Sequence, residues 1–214
     1  MPPIVAIVGS TSESGKTTLV EKLIGEMKSR GYQVATVKHA PQETDFDRPG
    51  TDSWRHIQAG SEATVVSGRN KLFLIKPASN ATLDDVAALL GEDYDIILAE
   101  GFKSSDVPKI EVHRKGAGPL LTDLKRLMAI ATDELLNVKT RQFSLDDVKG
   151  MADLLEEGFL KPQGERLSLY VDGAPITLTA FPKAFIASVV LGMVSSLKGV
   201  GKIKSLKLFF TRRD

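Results

Sequence analysis

The segment that most constrains the fold of this chain reads IVGSTSESGKTTL and spans residues 7–19. A glycine-containing loop between an apolar strand and a helix amino terminus presents backbone N–H groups to an anion, and it is typical of a phosphate site. The usual pattern has four residues between its first glycine and its Gly-Lys pair. Here five residues, Ser10 to Ser14, separate Gly9 from Gly15. Serine resists positive φ more than glycine does, so we expect the loop to turn differently at its start.

The first 160 residues alternate short Val/Ile-rich runs with helical patterns, which predicts an α/β fold with a mainly parallel sheet and helices on both faces. The candidate strands are Ile4–Val8, Gln33–Lys38, Ala63–Ser67, Lys71–Lys76, Ile96–Ala99, Lys109–His113 and Met128–Thr132. Between the first two, an apolar helical stripe is formed by Leu19, Val20, Leu23, Ile24 and Met27 and ends at Gly31. Thr82 and Ser144, each followed by two aspartates, predict two further helix starts.

The sequence pattern changes after residues 156–166. A hairpin is predicted with its turn at Asp172 and Gly173, followed by an apolar helix over 184–197 and a last strand over 203–210. The apolar stretch is shorter than the roughly 20 residues that cross a membrane, so we expect a buried helix. We interpret residues 1–160 as a nucleotide-binding domain and 165–214 as a small α+β module.

Charge and cysteine content narrow the class of partner. The 28 basic and 27 acidic side chains give a formal net charge of +1, so no overall field draws the chain to nucleic acid or to anionic lipid. The absence of cysteine excludes disulfides and thiolate metal ligands. With no leader pattern at the start, we expect a cytoplasmic protein whose partners are proteins and small molecules.

Three side chains carry the predicted phosphate chemistry. Lys16 would reach the terminal phosphates, and the hydroxyl of Thr17 would ligate Mg²⁺. Glu100 ends the apolar run in ILAEGFK, and we assign it to Mg²⁺, directly or through water, or to positioning a water nucleophile. The alternatives are a Ser/Gly turn with an ordinary surface lysine, and a solvated glutamate at a strand end. The βαβ placement of the loop disfavours the first.

A polar segment over residues 37–56 is expected to face the same sheet edge. Its candidate ligands for metal or phosphate are Asp45, Asp47, Asp52, Arg48 and Arg55. Each one singly also fits a solvated or capping role, and Asp52 would cap a helix that starts at Ser53. His39 is a weak general-base candidate.

The stretch from 101 to 116 places Lys103, Lys109, Arg114 and Lys115 around a strand. These cations fit either a second anionic ligand or ordinary charges on a solvent-facing strand, and the sequence leaves both open. Asp133 ends another apolar strand, but the full base-reading motif is absent, so guanine is not distinguished from adenine by motif.

Four motifs together, GKTTL, DFDRPGTDSWRHIQAG, ILAEGFK and PKIEVHR, resemble the molybdopterin-guanine dinucleotide biosynthesis protein B (MobB) family. The resemblance implies a P-loop NTPase-like fold and a homodimer that binds GTP and Mg²⁺. It implies an adapter that assists the molybdopterin guanylyltransferase, with other molybdenum cofactor assembly proteins as further partners, and at most weak Mg-dependent GTPase activity.

The resemblance also implies the site residues. By motif, Gly15, Lys16, Thr17 and Thr18 would hold phosphates and Mg²⁺. The preceding loop residues Ser12, Glu13 and Ser14 are further candidates for contact with the nucleotide. Glu100 would complete the metal site with Thr17, Lys16 and Glu100 would serve any hydrolysis, and Asp47 and Asp52 would belong to a loop over the nucleotide. The rival hypothesis is a small-molecule kinase whose acceptor is held by the 37–56 segment together with Lys103, Lys109 and Arg114. The lack of a well-placed general base disfavours it.

Overall fold

A computed structural model describes residues 1–40, 47–161, 167–172 and 174–212. Contacts between Cα atoms divide the chain into two units, Met1–Pro162 and Gln163–Asp214. The elements of the first unit are, in chain order, β1 (Ile4–Val8), α1 (Lys16–Ser29), β2 (Val34–Lys38), α2 (Asp52–Gln58), β3 (Thr64–Ser67), β4 (Leu72–Ile75), α3 (Leu83–Leu90), β5 (Ile96–Glu100), β6 (Lys109–His113), β7 (Leu127–Thr132), β8 (Arg141–Ser144) and α4 (Val148–Leu155).

Six of these strands form one sheet in the order β2-β5-β1-β6-β7-β8, and every pair is parallel. All five residues of the central strand β1 are buried. Its residues alternate between two cores: Val5 and Ile7 pack with α1 and α4, whereas Ala6 and Val8 pack with α3. The predicted mainly parallel sheet with helices on both faces is confirmed.

Helix α1 buries the predicted stripe, with Leu19, Val20, Leu23 and Met27 all in the core. Helix α3 begins at the predicted cap, because Thr82 and Asp85 exchange hydrogen bonds between their side chains and backbones. The start predicted at Ser144 is wrong. Ser144 ends β8, and Asp147 caps α4 by accepting a 3.0 Å hydrogen bond from the Gly150 N–H.

Strands β3 and β4 lie outside the main sheet, which differs from the expectation of one sheet. They pair with each other, antiparallel, as a two-stranded ribbon closed by a hydrogen bond from Gly68 N to Lys71 O of 2.9 Å. Its exposed large apolar side chains are Val65, Val66, Leu72, Phe73 and Leu74. Strand propensity is a local signal, and it does not say which neighbour a strand pairs with.

Two further elements of this unit were not expected. Strand β8 has one buried apolar residue, Phe143, too few to give a strand pattern. After α4 the chain continues in a π-helical turn over Glu156–Leu160, and Leu160 packs into the core. This turn is held by Arg30, whose guanidinium donates to Glu156 Oε2 at 2.8 Å and to Asp153 Oδ1 at 2.6 Å.

The second unit contains the antiparallel strands β9 (Leu169–Val171) and β10 (Ala174–Ile176) and the helix α5 (Ala180–Ser195). Asp172 lies between the two strands with φ of +52°, and Gly173, the other predicted turn residue, lies outside the described residues.

Two expectations for this unit are wrong. None of the side chains of α5 is buried, and the described residues from 203 to 210 form no strand. Nearly every position of α5 is apolar, which is the pattern of a buried helix, but the sequence does not say which element would cover it. No helix within the described part of the chain is long and apolar enough to cross a membrane.

Candidate phosphate-binding site

The loop between β1 and α1 opens onto the amino end of α1. Ser12–Ser14 form a 3-10 turn, and Gly15 then adopts a left-handed conformation with φ of +94° immediately before α1 begins at Lys16. That conformation favours glycine. As in any α-helix, the first N–H groups of α1 have no partner within the helix. Such a helix terminus attracts anions, in particular phosphate.

The unusual spacing at the start of the loop is explained by close packing. A Cβ atom on Gly9 would lie 2.3 Å from Ser14 Oγ and 2.9 Å from the carbonyl oxygen of Val112. Glycine is therefore required at position 9 for space. Ser10, by contrast, does not have a positive φ, so serine is accommodated where the usual pattern has glycine.

Lys16 folds back over the loop that precedes it. Its ammonium group donates to the carbonyl oxygen of Thr11 and to Ser14 Oγ, the latter at 3.2 Å. Burial lowers the pKa of Lys16; nearby Glu100 opposes that shift, and Lys103 and Lys38 add to it. An anion bound in the loop would offset the mutual repulsion of these three cations.

Glu100 lies beside Thr17, as the sequence predicts for a shared metal site. Thr17 Oγ1 donates to Glu100 Oε1 at 2.9 Å, and Lys38 Nζ lies 3.2 Å from the same oxygen. The Glu100 side chain is 13% exposed, so the alternative of a solvated strand end is wrong. A hydroxyl and a carboxylate are oxygen donors of the kind that Mg²⁺ binds together with phosphates and water, so the pair fits this ion.

Lys38 was not singled out from the sequence. Strands β2 and β5 are parallel and in register, and Lys38 pairs with Glu100 across them. One sequence signal could have identified Lys38. It ends a predicted strand, just as Glu100 ends another, and neighbouring parallel strands end at the same edge of a sheet.

The turn after Glu100 contacts the start of the loop between β1 and α1, residues 9–15, which we call the phosphate loop. Gly101 and Phe102 both have positive φ, of +94° and +56°, and a non-glycine residue in that region indicates local strain. The turn directs Lys103 Nζ to the carbonyl oxygen of Ser10 at 3.3 Å. The Phe102 ring packs against His39 with the ring centres 5.0 Å apart, so the structure shows His39 in an aromatic contact.

Strand β6 is buried at all five positions, which excludes a solvent-facing strand. Lys109 donates to the carbonyl oxygens of Ser105, Val107 and Lys125, at 2.5, 2.9 and 3.1 Å. These bonds use all three ammonium protons, so Lys109 has none left for an anionic ligand, which was one of the two alternatives that the sequence left open.

The other polar side chains on the same face of β6 are Glu111 and His113. His113 Nε2 lies 2.8 Å from Glu134 Oε1, and Glu111 Oε1 accepts from Leu121 N at 2.7 Å. Burial raises the pKa of Glu111, and its Oε2 is buried without a hydrogen-bond partner among the described residues. The sequence did not mark Glu111, because alternation with Ile and Val is also the pattern of an exposed strand face.

The residues predicted to lie over the nucleotide are engaged within their own segment. Asp47 Oδ1 accepts from Thr51 Oγ1 at 2.9 Å and from Ser53 Oγ at 2.8 Å. Asp52 is the first residue of α2 and is exposed; Thr51 caps that helix, so a cap at Asp52 is wrong. Asp45 lies outside the described residues, and the nucleotide-binding roles of Asp47 and Asp52 stay predictions.

The remaining predicted residues lie along the loop and the first turn of α1. Ser14 is buried, and its hydroxyl donates to the Thr11 carbonyl at 3.1 Å, whereas Ser12, Glu13 and Thr18 are exposed. Asp133, at the end of β7, accepts a 2.8 Å hydrogen bond from Lys115 N. The structure therefore brings Lys16, Thr17 and Glu100 together and places Asp133 against the backbone after β6.

Comparison with known proteins gives consistent matches. Residues 4–133 match the family described as "Molybdopterin guanine dinucleotide synthesis protein B". The molybdopterin-guanine dinucleotide biosynthesis adapter protein of Escherichia coli (strain K12) is 33% identical over 171 residues, covering 77% of this chain and 97% of that protein. A provisionally named adapter protein of Methanocaldococcus jannaschii is 26% identical and covers 96% of both chains.

Solved structures match in fold as well. The crystal structure of a MobB protein homolog from Bacillus stearothermophilus has a TM-score of 0.57 and 29% identity, and it covers 74% of this chain and 98% of that one. The family match spans more than half of the chain, and it includes the phosphate loop, Glu100 and β6. The chain belongs to the molybdopterin guanine dinucleotide synthesis protein B family.

Proposed function

We propose that this chain is a cytoplasmic GTP-binding adapter protein of molybdopterin guanine dinucleotide biosynthesis that assists the guanylyltransferase of that pathway. The observation that carries the proposal is the convergence of Lys16, Thr17 and Glu100 at the amino end of α1. The adapter role is supported by the names of the relatives, including the Escherichia coli protein at 33% identity.

Phosphate would be held by the chain in two ways. The N–H groups at the start of α1 would donate to phosphate oxygens, and the ammonium group of Lys16 would exchange its loop contacts for them. Lys38 and Lys103, which lie close enough to lower the pKa of Lys16, would add positive potential at the same edge. These charges suit a polyanion such as a nucleoside triphosphate.

Magnesium would be held by Thr17 and Glu100. The ion, when bound with the nucleotide, neutralises phosphate charge and orients the phosphate chain. Glu100 would in addition position a water molecule, which is the basis for weak GTP hydrolysis. The preference for GTP over ATP is what the resemblance to the family implies.

We propose further that the chain forms a homodimer through the β3–β4 ribbon. A two-stranded ribbon is marginally stable alone, and its free edges pair readily with another chain. The side chains of Leu72 and Phe73 are 70% and 59% exposed. A second copy of the same ribbon would cover these apolar groups, as a closed twofold interface does.

The decisive experiment is calorimetric titration of the purified full chain with GTP and with ATP, each in the presence of Mg²⁺. We expect saturable GTP binding that is tighter than ATP binding. Absence of binding to either nucleotide would overturn the proposal, and equal affinities would overturn the guanine preference.

A second experiment addresses the adapter role. The purified guanylyltransferase should associate with this chain in solution, and addition of the chain should increase guanylyl transfer to molybdopterin. Rapid phosphate transfer from GTP or ATP to a small-molecule acceptor, without any effect on the guanylyltransferase, would instead favour a kinase.

A further inference from the structure

The segment after β6, residues 114–118, lies directly on the phosphate loop. A Cβ atom placed on Gly15 would lie 3.2 Å from Arg114 Nε and 3.6 Å from Arg114 Cζ. A Cβ atom placed on Gly118 would lie 2.7 Å from Ser10 Oγ. The guanidinium of Arg114 therefore packs against the backbone at the amino end of α1, and the segment touches the other end of the loop as well.

The guanidinium of Arg114 makes no hydrogen bond or ion pair with any residue in the described ranges, and the side chain is exposed. Arg30 in the same unit shows the usual arrangement, since it contacts the carboxylates of Glu26, Asp153 and Glu156. The charge of Arg114 is felt at Asp146, but that carboxylate bonds to Lys22 at 2.7 Å. The five donors of Arg114 are thus unused beside a helix terminus that is itself positive.

Such an arrangement is unfavourable for the protein alone. Arg114 shares the edge of the sheet with Lys16 and Lys103, and the positive end of α1 adds to their potential. A bound phosphate would be attracted by each of these positive groups and would offset the repulsion between them. Guanidinium binds phosphate oxygens in a bidentate manner, which a lysine cannot do.

The backbone around Arg114 is anchored by hydrogen bonds within the 114–118 segment and next to it. Glu111 Oε1 accepts from Leu121 N at 2.7 Å, and Asp133 Oδ1 accepts from Lys115 N at 2.8 Å. A hydrogen bond of 3.1 Å from Ala117 N to Arg114 O closes the turn between them. Arg114 is therefore presented by a backbone that is already ordered, which lowers the entropic cost of binding a ligand.

We infer that Arg114 is a phosphate-binding residue of this site, and that residues 114–118 form a second wall of the nucleotide site opposite Glu100. The inference rests on the proposed function, because it concerns the nucleotide at the same loop. Arg114 would contact phosphate oxygens through its guanidinium, and Glu111 and Asp133 would act as positioning residues for it.

The test compares GTP and GDP titrations of the wild-type chain with those of Arg114→Ala and Arg114→Lys. One lost charge-assisted contact lowers affinity by about tenfold or more, so we expect that loss in Arg114→Ala. Arg114→Lys should recover only part of the lost affinity, because lysine keeps the positive charge but cannot donate two parallel hydrogen bonds to a phosphate. A larger loss for GTP than for GDP would place Arg114 at the outermost phosphate, and equal losses would place it further in; both support the inference.

The matched control is Lys139→Ala, which removes an exposed cation from the connection between β7 and β8, outside the 114–118 segment. Its affinity should equal that of the wild type, and a loss equal to that of Arg114→Ala would overturn the inference by showing an effect of net charge alone. Circular dichroism of each variant checks the fold. If Arg114→Ala does not fold, the affinity of Arg114→Lys for GTP tests the inference instead. Wild-type affinity in both Arg114 variants would overturn the inference and leave the proposed function intact, whereas a wild-type chain that binds no nucleotide would overturn the proposed function.

Discussion

Thr17 Oγ1 donates a 2.9 Å hydrogen bond to Glu100 Oε1, although the two residues lie 83 positions apart in the chain. The contact exists because β1 and β5 are neighbouring parallel strands, so that the loop after one meets the end of the other. A hydroxyl and a carboxylate held together beside a helix amino end form the arrangement on which the proposed Mg-nucleotide site depends.

Substitution Glu100→Gln should weaken the effect of Mg²⁺ on nucleotide binding. An amide keeps a hydrogen-bond acceptor for Thr17 but removes the negative charge that a divalent cation requires, so the gain in affinity that Mg²⁺ provides should fall by about tenfold or more. Titrations of GTP with and without Mg²⁺ measure this gain. Asp84→Asn, an exposed change in the first turn of α3, is the control, and an unchanged Mg²⁺ effect in Glu100→Gln would contradict the assignment.

Substitution Lys16→Ala should abolish measurable GTP binding, with a loss of about a hundredfold or more, while the fold is kept. The variant also loses the bonds from the ammonium group to Thr11 and Ser14, so the loop itself should become more mobile. Calorimetry gives the affinity, and circular dichroism checks the fold. Lys28→Ala, in the last turn of the same helix, should bind normally, and retained GTP affinity in Lys16→Ala would show that the loop does not hold phosphate.

Substitution Glu111→Gln should make stability less dependent on pH. Burial raises the pKa of Glu111 above its ordinary value of 4.5, so between these two values the folded chain keeps a proton that the unfolded chain has released. Folding stability contributed by this group is therefore lost as pH rises through that window, by at most about 1.4 kcal/mol per pH unit. Glutamine cannot ionise and avoids this loss.

The measurement for Glu111→Gln is the free energy of unfolding in urea at a series of pH values from 4 to 8. The difference between variant and wild type should grow with pH and then level off above the pKa of the folded state. The control for the substitution itself is Glu21→Gln, the same change at an exposed position. A parallel curve for Glu111→Gln would mean that Glu111 does not titrate differently in the two states.

Substitution Phe73→Lys should convert the proposed homodimer to a monomer. A charge placed on the exposed face of the β3–β4 ribbon would have to be buried in the interface, which is costly without a partner. Sedimentation equilibrium over a range of concentrations gives the mass. Leu89→Lys, at an exposed position on α3, should leave the mass unchanged, and a dimeric Phe73→Lys would exclude the ribbon as the interface.

The sequence predicted an element correctly where its local pattern is compatible with a single structure. The strand Ile4–Val8, the buried stripe of α1 and the cap at Thr82 were predicted correctly, because burial periodicity and capping depend on residues a few positions apart. The sequence was misleading where the position of an element depended on residues far away in the chain. The strands at 64–67 and 72–75 have the same composition as sheet strands, yet among the described residues they pair with each other and not with the main sheet.

The residues of the proposed phosphate site, Gly15, Lys16, Thr17 and Glu100, were identified from the sequence alone. A phosphate-binding loop has the Gly-Lys-Thr order, and a carboxylate that ends a neighbouring strand can share its Mg²⁺. Only the tertiary structure decided which other side chains surround them. Parallel strand ends meet at one edge of the sheet, and that edge brings Lys38, Lys103 and Arg114 to the loop while the burial of β6 commits Lys109 to backbone carbonyls. Strand order and burial are properties of the whole packed domain, and no local stretch of sequence encodes them.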